Sequence, residues 1–348
     1  MNLFLNCCVI FFCFQNFALA DSKENDASTK KVNISNPMNE PVIFSFDNFL
    51  GKDTSIKASG RLTEKDKYIK AGVEKKHIFD SPYFIGMDAK GQLWHDTEFN
   101  LSDAGWDLYL GRNITKFTKL SAMYRVDRYD VSGTDETSAV DFRRSDGNNT
   151  VAALSLKLKR STADDEFYPT KGTRCELIAE YALRSLGGDF NFSKYAANAG
   201  YFYTPFWNIT LVGHINVGWM ENFGNSADVP FFERYFVGSS STVRGFEWGK
   251  AGPISPNGSP LGADVMAVGN LEARVPIYKK LKGTVFFDTG RVFNKIKEFG
   301  HVDLRESAGF GLRYLTPWVV LRADYGFILD RRSGENRGRL HLTLGMPF

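Results

Sequence analysis

Most of the chain alternates between apolar and polar residues with a period of two, the spacing of side chains on one face of a β-strand. In residues 152–159, for example, an alanine and three leucines alternate with Ser155, Lys157 and Lys159. Similar alternation recurs from Val42 to the C-terminus. Since one face of each segment is apolar and the other is polar, the sequence predicts an all-β protein built from amphipathic strands.

Two architectures satisfy this pattern. In a sandwich, the apolar faces of two sheets pack together; in a membrane barrel, the apolar face contacts lipid and the polar face lines a lumen. Full charges on the polar face of almost every segment favour the barrel, as do aromatic residues at segment ends, such as Tyr201, Tyr203 and Trp219. We therefore predict a transmembrane antiparallel β-barrel.

The strand number follows from the length of the alternating region. Membrane-spanning strands need ~9–11 residues, and about sixteen such strands fit the chain with loops of realistic size. The sixteenth is a weak candidate at Lys31–Ser35. No helical repeat or second domain is visible in the pattern.

The first twenty residues differ from the rest. Met1–Ala20 contains no charged residue and ends in Ala-Leu-Ala before the polar Asp21. This arrangement predicts a signal peptide at residues 1–20, with an N-terminal helical anchor as the alternative. Residues 21–40 then form a polar linker or a weak first strand, and residues 41–348 form the barrel.

Composition excludes several classes of site. The net charge is +3, with acids and bases mixed throughout, so no nucleic-acid-binding surface is indicated. Cys175 is the one cysteine beyond the predicted signal peptide, and no cysteine or histidine spacing resembles a metal site. We expect neither a metal nor another cofactor.

One long segment, Met220–Leu261, interrupts the alternation. Connections without regular structure that exceed ~12–15 residues are uncommon in compact domains and are often functional. Two regular strands flank this segment, and its centre reads Val243, Arg244, Gly245 and Phe246. We predict that residues 220–261 form a long functional loop inserted into the barrel.

The loop carries a family resemblance. Ser239–Phe246 (SSSTVRGF) resembles the characteristic loop of the BamA/TamA family of outer-membrane assembly factors, also called bacterial surface antigens. Phe231–Gly238 fits the same pattern, while Met266–Glu272 and Phe286–Gly290 resemble the two strands that follow that loop. The resemblance covers residues 165–348 well; before residue 160, alternation alone supports it.

The resemblance implies a specific contact inside the barrel. In that family the loop arginine folds back into the lumen and pairs with acids on the next two strands, which would be Arg244 with Glu272 and Asp288. The alternation of side chains along each strand places both acids on the lumen face. The planar, forked guanidinium group of an arginine can bind two carboxylates at once. Gly245 allows the backbone to turn beside Arg244. The alternative is three unrelated charges in a water-filled lumen.

The C-terminus resembles the signal by which outer-membrane barrels are themselves recognised. Leu344, Met346 and Phe348 share one face of the last strand. Pro347 lacks an N–H and removes one ladder hydrogen bond. With a poor first strand, this predicts a weakly closed seam; the alternative is that Pro347 merely ends the strand.

The resemblance implies a barrel in the bacterial outer membrane that helps to insert or translocate outer-membrane proteins. Its partners would be membrane lipid, lipopolysaccharide and nascent outer-membrane proteins. Periplasmic (POTRA) domains are not seen in the sequence, so a separate POTRA-type or chaperone protein is expected. The alternatives are a passive pore or structural surface antigen, and an enzyme, which the lack of a GxSxG or HExxH motif disfavours.

Overall fold

The computed structural model describes residues 42–47, 53–62, 65–166, 168–298, 303–316 and 320–344. The predicted signal peptide, the linker at residues 21–40 and the candidate strand Lys31–Ser35 lie outside the described residues. So do Met346, Pro347 and Phe348 at the other end of the chain.

Within the described residues, fifteen strands form a single sheet in which each strand pairs antiparallel with the next in the chain. They are β1 (Val42–Asp47), β2 (Thr54–Leu62), β3 (Asp66–Lys75), β4 (Tyr83–His95), β5 (Asn100–Thr115), β6 (Thr118–Ser132), β7 (Gly147–Ser161), β8 (Gly172–Ala182), β9 (Phe192–Tyr203), β10 (Thr210–Asn222), β11 (Val265–Tyr278), β12 (Leu281–Phe293), β13 (Arg305–Leu315), β14 (Val320–Ile328) and β15 (Gly338–Leu344). The predicted all-β, antiparallel fold is confirmed, and the predicted count of sixteen is approximate.

The helices are short and lie in connections. One α-helix, α1 (Val140–Arg144), lies between β6 and β7. Four 3₁₀ turns lie at Ile78–Asp80, Arg184–Leu186, Phe231–Glu233 and Ile296–Glu298. Among the described residues, no helix is long and apolar enough to cross a membrane.

The two faces of the sheet have opposite chemistry. Large apolar side chains on the outer face are exposed, for example Leu156 at 56% and Leu271 at 62%. Charged side chains on the inner face, such as Asp127, Asp288 and Arg313, are fully buried. A soluble sandwich buries its apolar faces, so this arrangement is that of a barrel with lipid outside and a polar lumen inside.

The connections differ in length at the two ends of the strands. At one end, hairpins such as Thr115–Thr118 and Tyr278–Leu281 are tight. At the other end, the β10–β11 connection runs over residues 223–264, which we call the long loop. The short-turn end and the long-loop end are the two mouths of the lumen.

The long loop begins and ends a few residues later than predicted. Met220 continues the β10 ladder and lies opposite Lys194 of β9. Its side chain is buried on the inner face, and Glu221 is exposed. The apolar side chain therefore faces inward at this end of the strand, which conceals the alternation in the sequence.

Candidate functional site

The long loop folds into the lumen instead of extending into solvent. Val237, Val243 and Phe246 are buried in a cluster with Val268 of β11 and Val292 of β12. Apolar contacts with the inner wall therefore bring the centre of the loop against β11 and β12.

Arg244 lies at the centre of the candidate site. Its Nε and Nη2 donate to the two carboxylate oxygens of Asp288, each over 2.7 Å. Its Nη1 donates to Oε2 of Glu272 over 2.8 Å, and its backbone N–H donates to Asp288 over 3.1 Å. The guanidinium carbon also lies 3.4 Å from the ring centroid of Phe286. The structure thus brings Arg244, Glu272 and Asp288 together in a buried contact.

Strand register positions the two acids. Asn270 lies opposite Asp288, and Glu272 lies opposite Phe286, so both acids project from the same part of the inner wall. Asn270 donates to Asp288 over 2.8 Å and to the carbonyl of Thr242 over 2.6 Å. The amide of Asn270 therefore joins the loop backbone to the same carboxylate that binds Arg244.

Gly245 allows the loop to approach the last strands closely. Its φ is 93°, and a Cβ on Gly326 of β14 would lie 2.6 Å from its nitrogen. The Gly245 N–H donates to Nε2 of His341 on β15 over 3.0 Å. The loop therefore contacts both β14 and β15 through backbone that a larger side chain would displace.

The network extends to further arginines on the wall. Glu272 accepts from Nε of Arg274 over 2.7 Å and from Nη2 of Arg313 over 3.3 Å. Asp324 accepts from Arg313 and, over 2.7 Å, from Nη2 of Arg322. Arg322 also donates to the carbonyl of Ser240 in the long loop over 3.3 Å. Such fully desolvated charges are stabilising only while each keeps its partners.

A second charged contact anchors the opposite side of the loop. Glu233 is buried and accepts from Nη1 of Arg125 over 2.9 Å and from the hydroxyl of Tyr129 over 3.0 Å. Nζ of Lys194 lies 3.4 Å from the other carboxylate oxygen of Glu233. Arg125 also donates two hydrogen bonds to the carboxylate of Glu180. An acid of the loop thus meets basic residues of β6 and β9.

Neither the alternation nor the loop motif predicted a role for Glu233. It lies within the aromatic run Phe231–Gly238, which was noted only for its resemblance. An acid inside an apolar stretch, with Arg125 and Lys194 on predicted lumen faces, was the available signal. Alternation alone gives no way to pair residues 108 positions apart, the separation of Arg125 and Glu233.

An apolar cluster lies at the long-loop end of the lumen. Phe231 packs edge-on against Phe99 and near Phe142, with ring centroids 4.8 and 4.9 Å away. Trp248 stacks on Phe236 at 4.6 Å. These rings, from the long loop and two neighbouring connections or strand ends, form one continuous buried cluster.

Polar contacts hold the tip of the long loop over this cluster. Glu98, at the β4–β5 hairpin, accepts from Ser255 and from the backbone N–H of Ala139. Ser259 donates to Asp96 of the same hairpin. The long loop is therefore joined to two other connections at this end.

In the described part of the chain, no group of three or more histidine, cysteine, aspartate or glutamate side chains could hold a metal ion. The buried charges form ion pairs with one another, and their geometry suits attachment of a loop.

The match to a known protein family agrees with this geometry. The Omp85 superfamily domain matches residues 48–348. The chain belongs to the Omp85 superfamily. The match covers β2 to β15 together with the long loop.

Similar proteins agree with this assignment. This Omp85 chain is 28% identical to the outer membrane protein assembly factor BamA of Nitratidesulfovibrio vulgaris over 308 residues, which is 86% of the chain and 39% of that protein. It is 24% identical to BamA of Neorickettsia risticii over 290 residues, 79% of the chain and 38% of that protein. The chain thus spans less than half the length of these relatives.

Solved structures show the same fold. BamA from Haemophilus ducreyi lacking POTRA domains 1–3 superposes with a TM-score of 0.73 at 16% identity, covering 88% of this chain and 66% of that one. CdiB from Escherichia coli superposes with a TM-score of 0.60 at 12% identity, covering 88% and 58%. The Omp85 chain is a β-barrel of the bacterial outer membrane.

The last strand borders a large cavity. Within the described residues, β15 pairs with β14 and shows no pairing with β1. A cavity of about 1360 Å³ is lined by Arg339–Thr343 of β15, by residues of β3 and β4, and by the long loop. Outer-face Leu340 and inner-face His341 both line it, so the edge of β15 that has no partner among the described strands faces this cavity. Of the predicted C-terminal signal, only the backbone of Leu344, at the end of β15, is described.

Proposed function

We propose that this Omp85 barrel inserts or translocates other outer-membrane proteins, and that the long loop supports the last strands in that process. The relatives it matches are named outer membrane protein assembly factors. Because the chain spans 39% of the length of the first of them, its activity and clients are inferred for this domain alone.

One observation carries the proposal: Arg244 attaches the long loop to the wall directly beside the last strands. The next residue, Gly245, donates to His341 of β15 and lies against Gly326 of β14. Through these contacts the loop supports β15, the last strand, which has one unpaired edge among the described residues. Displacing the loop would remove support from the strand at which exchange must occur.

The proposed mechanism is exchange of strand pairing at the β1–β15 seam. An unpaired strand edge presents N–H and C=O groups that an incoming extended segment can bind by β-augmentation. We propose that a client strand pairs with such an edge while the surrounding bilayer is locally thinned. Hydrogen bonds are exchanged without covalent chemistry, so no catalytic residue or cofactor is required.

Client delivery is proposed to depend on a separate periplasmic protein of POTRA or chaperone type. Lipid and lipopolysaccharide would contact the apolar outer face, where side chains such as Leu156 and Leu271 are exposed. Co-purification from native membranes by the tagged barrel, with identification of bound proteins, tests this partner; recovery of the barrel without such a protein contradicts it.

A passive pore is the second candidate, and the apolar cluster at the long-loop end argues against it. Phe99, Phe142 and Phe231 are buried there and pack against each other. A pore needs a continuous water-filled path, whereas these rings and the long loop occupy part of that mouth.

The test is insertion of a model outer-membrane protein into liposomes containing the purified barrel. Arg244→Ala should slow insertion by at least about tenfold, because its removal leaves buried carboxylates without their partner. Arg144→Ala is the matched control, since Arg144 pairs with Asp228 of the same loop in an exposed contact. Wild-type insertion by a folded Arg244→Ala barrel contradicts the proposal.

A further inference from the structure

The short-turn end of the lumen contains a second cavity, of about 580 Å³. It is formed by the β7–β8 and β9–β10 connections together with inner-face residues of β10–β13. Its lining residues are Tyr168, Thr170, Lys171, Thr204, Pro205, Phe206, Trp207, Asn208, Thr210, Arg274, Pro276, Lys282 and Leu315. The cavity is separate from the candidate site but shares the Arg274 side chain with the buried network.

The charges around this cavity have one sign. Lys171, Arg274 and Lys282 line it, and none of the described lining residues is acidic. Asp164 contacts a lining residue but already accepts hydrogen bonds from Thr170. The cavity is therefore cationic, and no carboxylate on its surface neutralises it.

Arg274 connects the cavity to the buried network. Its Nε donates to Glu272 and its Nη1 to the carbonyl of Pro169, over 2.7 and 3.3 Å. Its Nη2 is buried and makes no hydrogen bond within the described structure. A buried donor without an acceptor is costly, and an oxyanion would supply that acceptor.

The charge of the network as a whole also leaves room for an anion. Four guanidinium groups meet three carboxylates among the fully or almost fully buried side chains. They are Arg244, Arg274, Arg313 and Arg322 with Glu272, Asp288 and Asp324. One positive charge is therefore in excess, and buried charges are stabilised by a counter-ion.

The rim of the cavity is a tight turn that carries two aromatic side chains. Trp207 and Asn208 have φ values of 51° and 55°, and a bulky residue such as tryptophan rarely occupies this region. The turn places Phe206 and Trp207 edge-to-face, with ring centroids 4.8 Å apart. Positive φ at both residues is the geometry of a type I′ hairpin turn, in which the Ile209 N–H donates to the carbonyl of Phe206 over 3.0 Å.

We propose that this cavity binds a single oxyanion, a carboxylate or a phosphate, carried on an aromatic or other apolar body. The oxyanion would lie among Lys171, Lys282 and the free Nη2 of Arg274, where charge-assisted hydrogen bonds are strongest. The apolar body would pack against Phe206 and Trp207. Both parts lie at the lumen mouth, where a soluble molecule has access.

The experiment is isothermal titration of the purified, detergent-solubilised barrel with phenyl phosphate and phenylacetate, beside inorganic phosphate and acetate. The two aromatic anions should bind at least about fivefold more tightly than their inorganic or aliphatic counterparts, because aromatic contacts add to the charge contacts. Their ranking shows whether phosphate or carboxylate is preferred. No client protein is present, so the outcome is independent of the assembly role.

The matched variants are Lys282→Gln and Lys280→Gln. The two lysines lie on the same hairpin and lose the same charge, but Lys282 lines the cavity and exposed Lys280 does not. K282Q should weaken binding of phenyl phosphate at least about fivefold, and K280Q by less than about twofold. Equal weakening by both variants, or no measurable binding by the folded wild type, would overturn the proposal.

Discussion

At the residue scale, the site depends on a guanidinium that serves two carboxylates at once. Arg244 uses three nitrogens on Asp288 and Glu272, with distances of 2.7–2.8 Å. A lysine has one nitrogen and cannot reproduce this fork. The contact is desolvated on every side, so each partner depends on the others.

Replacing Asp288 with asparagine tests this dependence. Asp288→Asn keeps the shape but removes the charge that binds Arg244, and we expect the free energy of unfolding to fall by about 3–5 kcal/mol. Urea unfolding in detergent, followed by loss of heat-modifiable migration, measures the change. Asp228→Asn, which breaks the exposed pair between Arg144 and the long loop, should change it by less than about 1 kcal/mol. Equal effects of the two variants would show that burial of the pair is unimportant.

Glu233 gives a pH prediction. Burial alone raises the pKa of this carboxyl, but Arg125 and Lys194 outweigh burial and lower its pKa from 4.5 to about 2. Its stabilising contribution is therefore complete above pH 4.5 and is lost as pH falls from there through about 2. Loop anchoring by Glu233 should not change between about pH 8 and pH 5.

Tryptophan fluorescence, recorded as a function of pH, measures how firmly Glu233 anchors the long loop. Trp248 reports on this because it packs against the apolar cluster that the loop helps to form. The difference between the wild type and Glu233→Gln should be constant from neutral pH to about pH 5 and should shrink below pH 4.5. A difference that already disappears near pH 6 contradicts the assigned ion pair.

The residue contacts were predictable to different degrees. Arg244, Glu272 and Asp288 could be proposed together because a motif identified the arginine and strand parity placed the acids. Glu233 could not, since its partners come from distant strands whose register alternation does not fix. Arg274, Arg313 and Arg322 also lie on predicted polar faces, but the sequence does not show which of them share a carboxylate.

At the element scale, close backbone contact sets the position of the long loop. Gly245 and Gly326 lie so near that a Cβ on Gly326 would be 2.6 Å from the Gly245 nitrogen. No side chain fits between them, so the loop lies directly on β14 and not on a layer of side chains.

Gly326→Ala should therefore displace the loop. Overpacking of this kind costs about 1–3 kcal/mol, and we expect faster cleavage of residues 223–264 by an added protease. Gly213→Ala on β10 is the matched control, because its Cβ would meet only Leu271, at 3.9 Å. Resistance to protease equal to that of the wild type in Gly326→Ala contradicts the proposed contact.

Strand faces were easier to predict than strand ends. Alternation assigned Glu272 and Asp288 to the inner face because lipid requires apolar side chains on the outer face at membrane depth. Beyond that depth the requirement ends, and Met220 faces inward while Glu221 is exposed. The predicted start of the long loop, Met220, was therefore a few residues too early, since β10 continues to Asn222.

At the scale of the whole molecule, a base and an acid of the loop attach it to two different parts of the wall. Arg244 binds acids of β11 and β12, and Glu233 binds basic residues of β6 and β9. Between these anchors, the loop and its apolar cluster occupy the lumen. The sequence predicted an inserted loop but not its attachment to β6 and β9, because that depends on the curvature of the sheet.

This arrangement predicts little ion conductance. In planar bilayers the wild type should show no steady open state, because the long loop and its apolar cluster occupy the lumen. Removing both anchors, as Glu233→Ala with Arg244→Ala, should produce open-channel events, while Arg144→Ala should not. Steady conductance by the wild type would favour the passive pore.

The central claim is that Arg244 and Asp288 act as one unit to support insertion of client proteins. The most direct measurement is the insertion rate in liposomes for Arg244→Ala, Asp288→Ala and the double variant, with each shown to be folded. Each single change should slow insertion by at least about tenfold, and the double variant should be no slower than the worse single variant, since residues of one network are not additive. Two small effects that simply multiply, or wild-type insertion by either single variant, would contradict the claim.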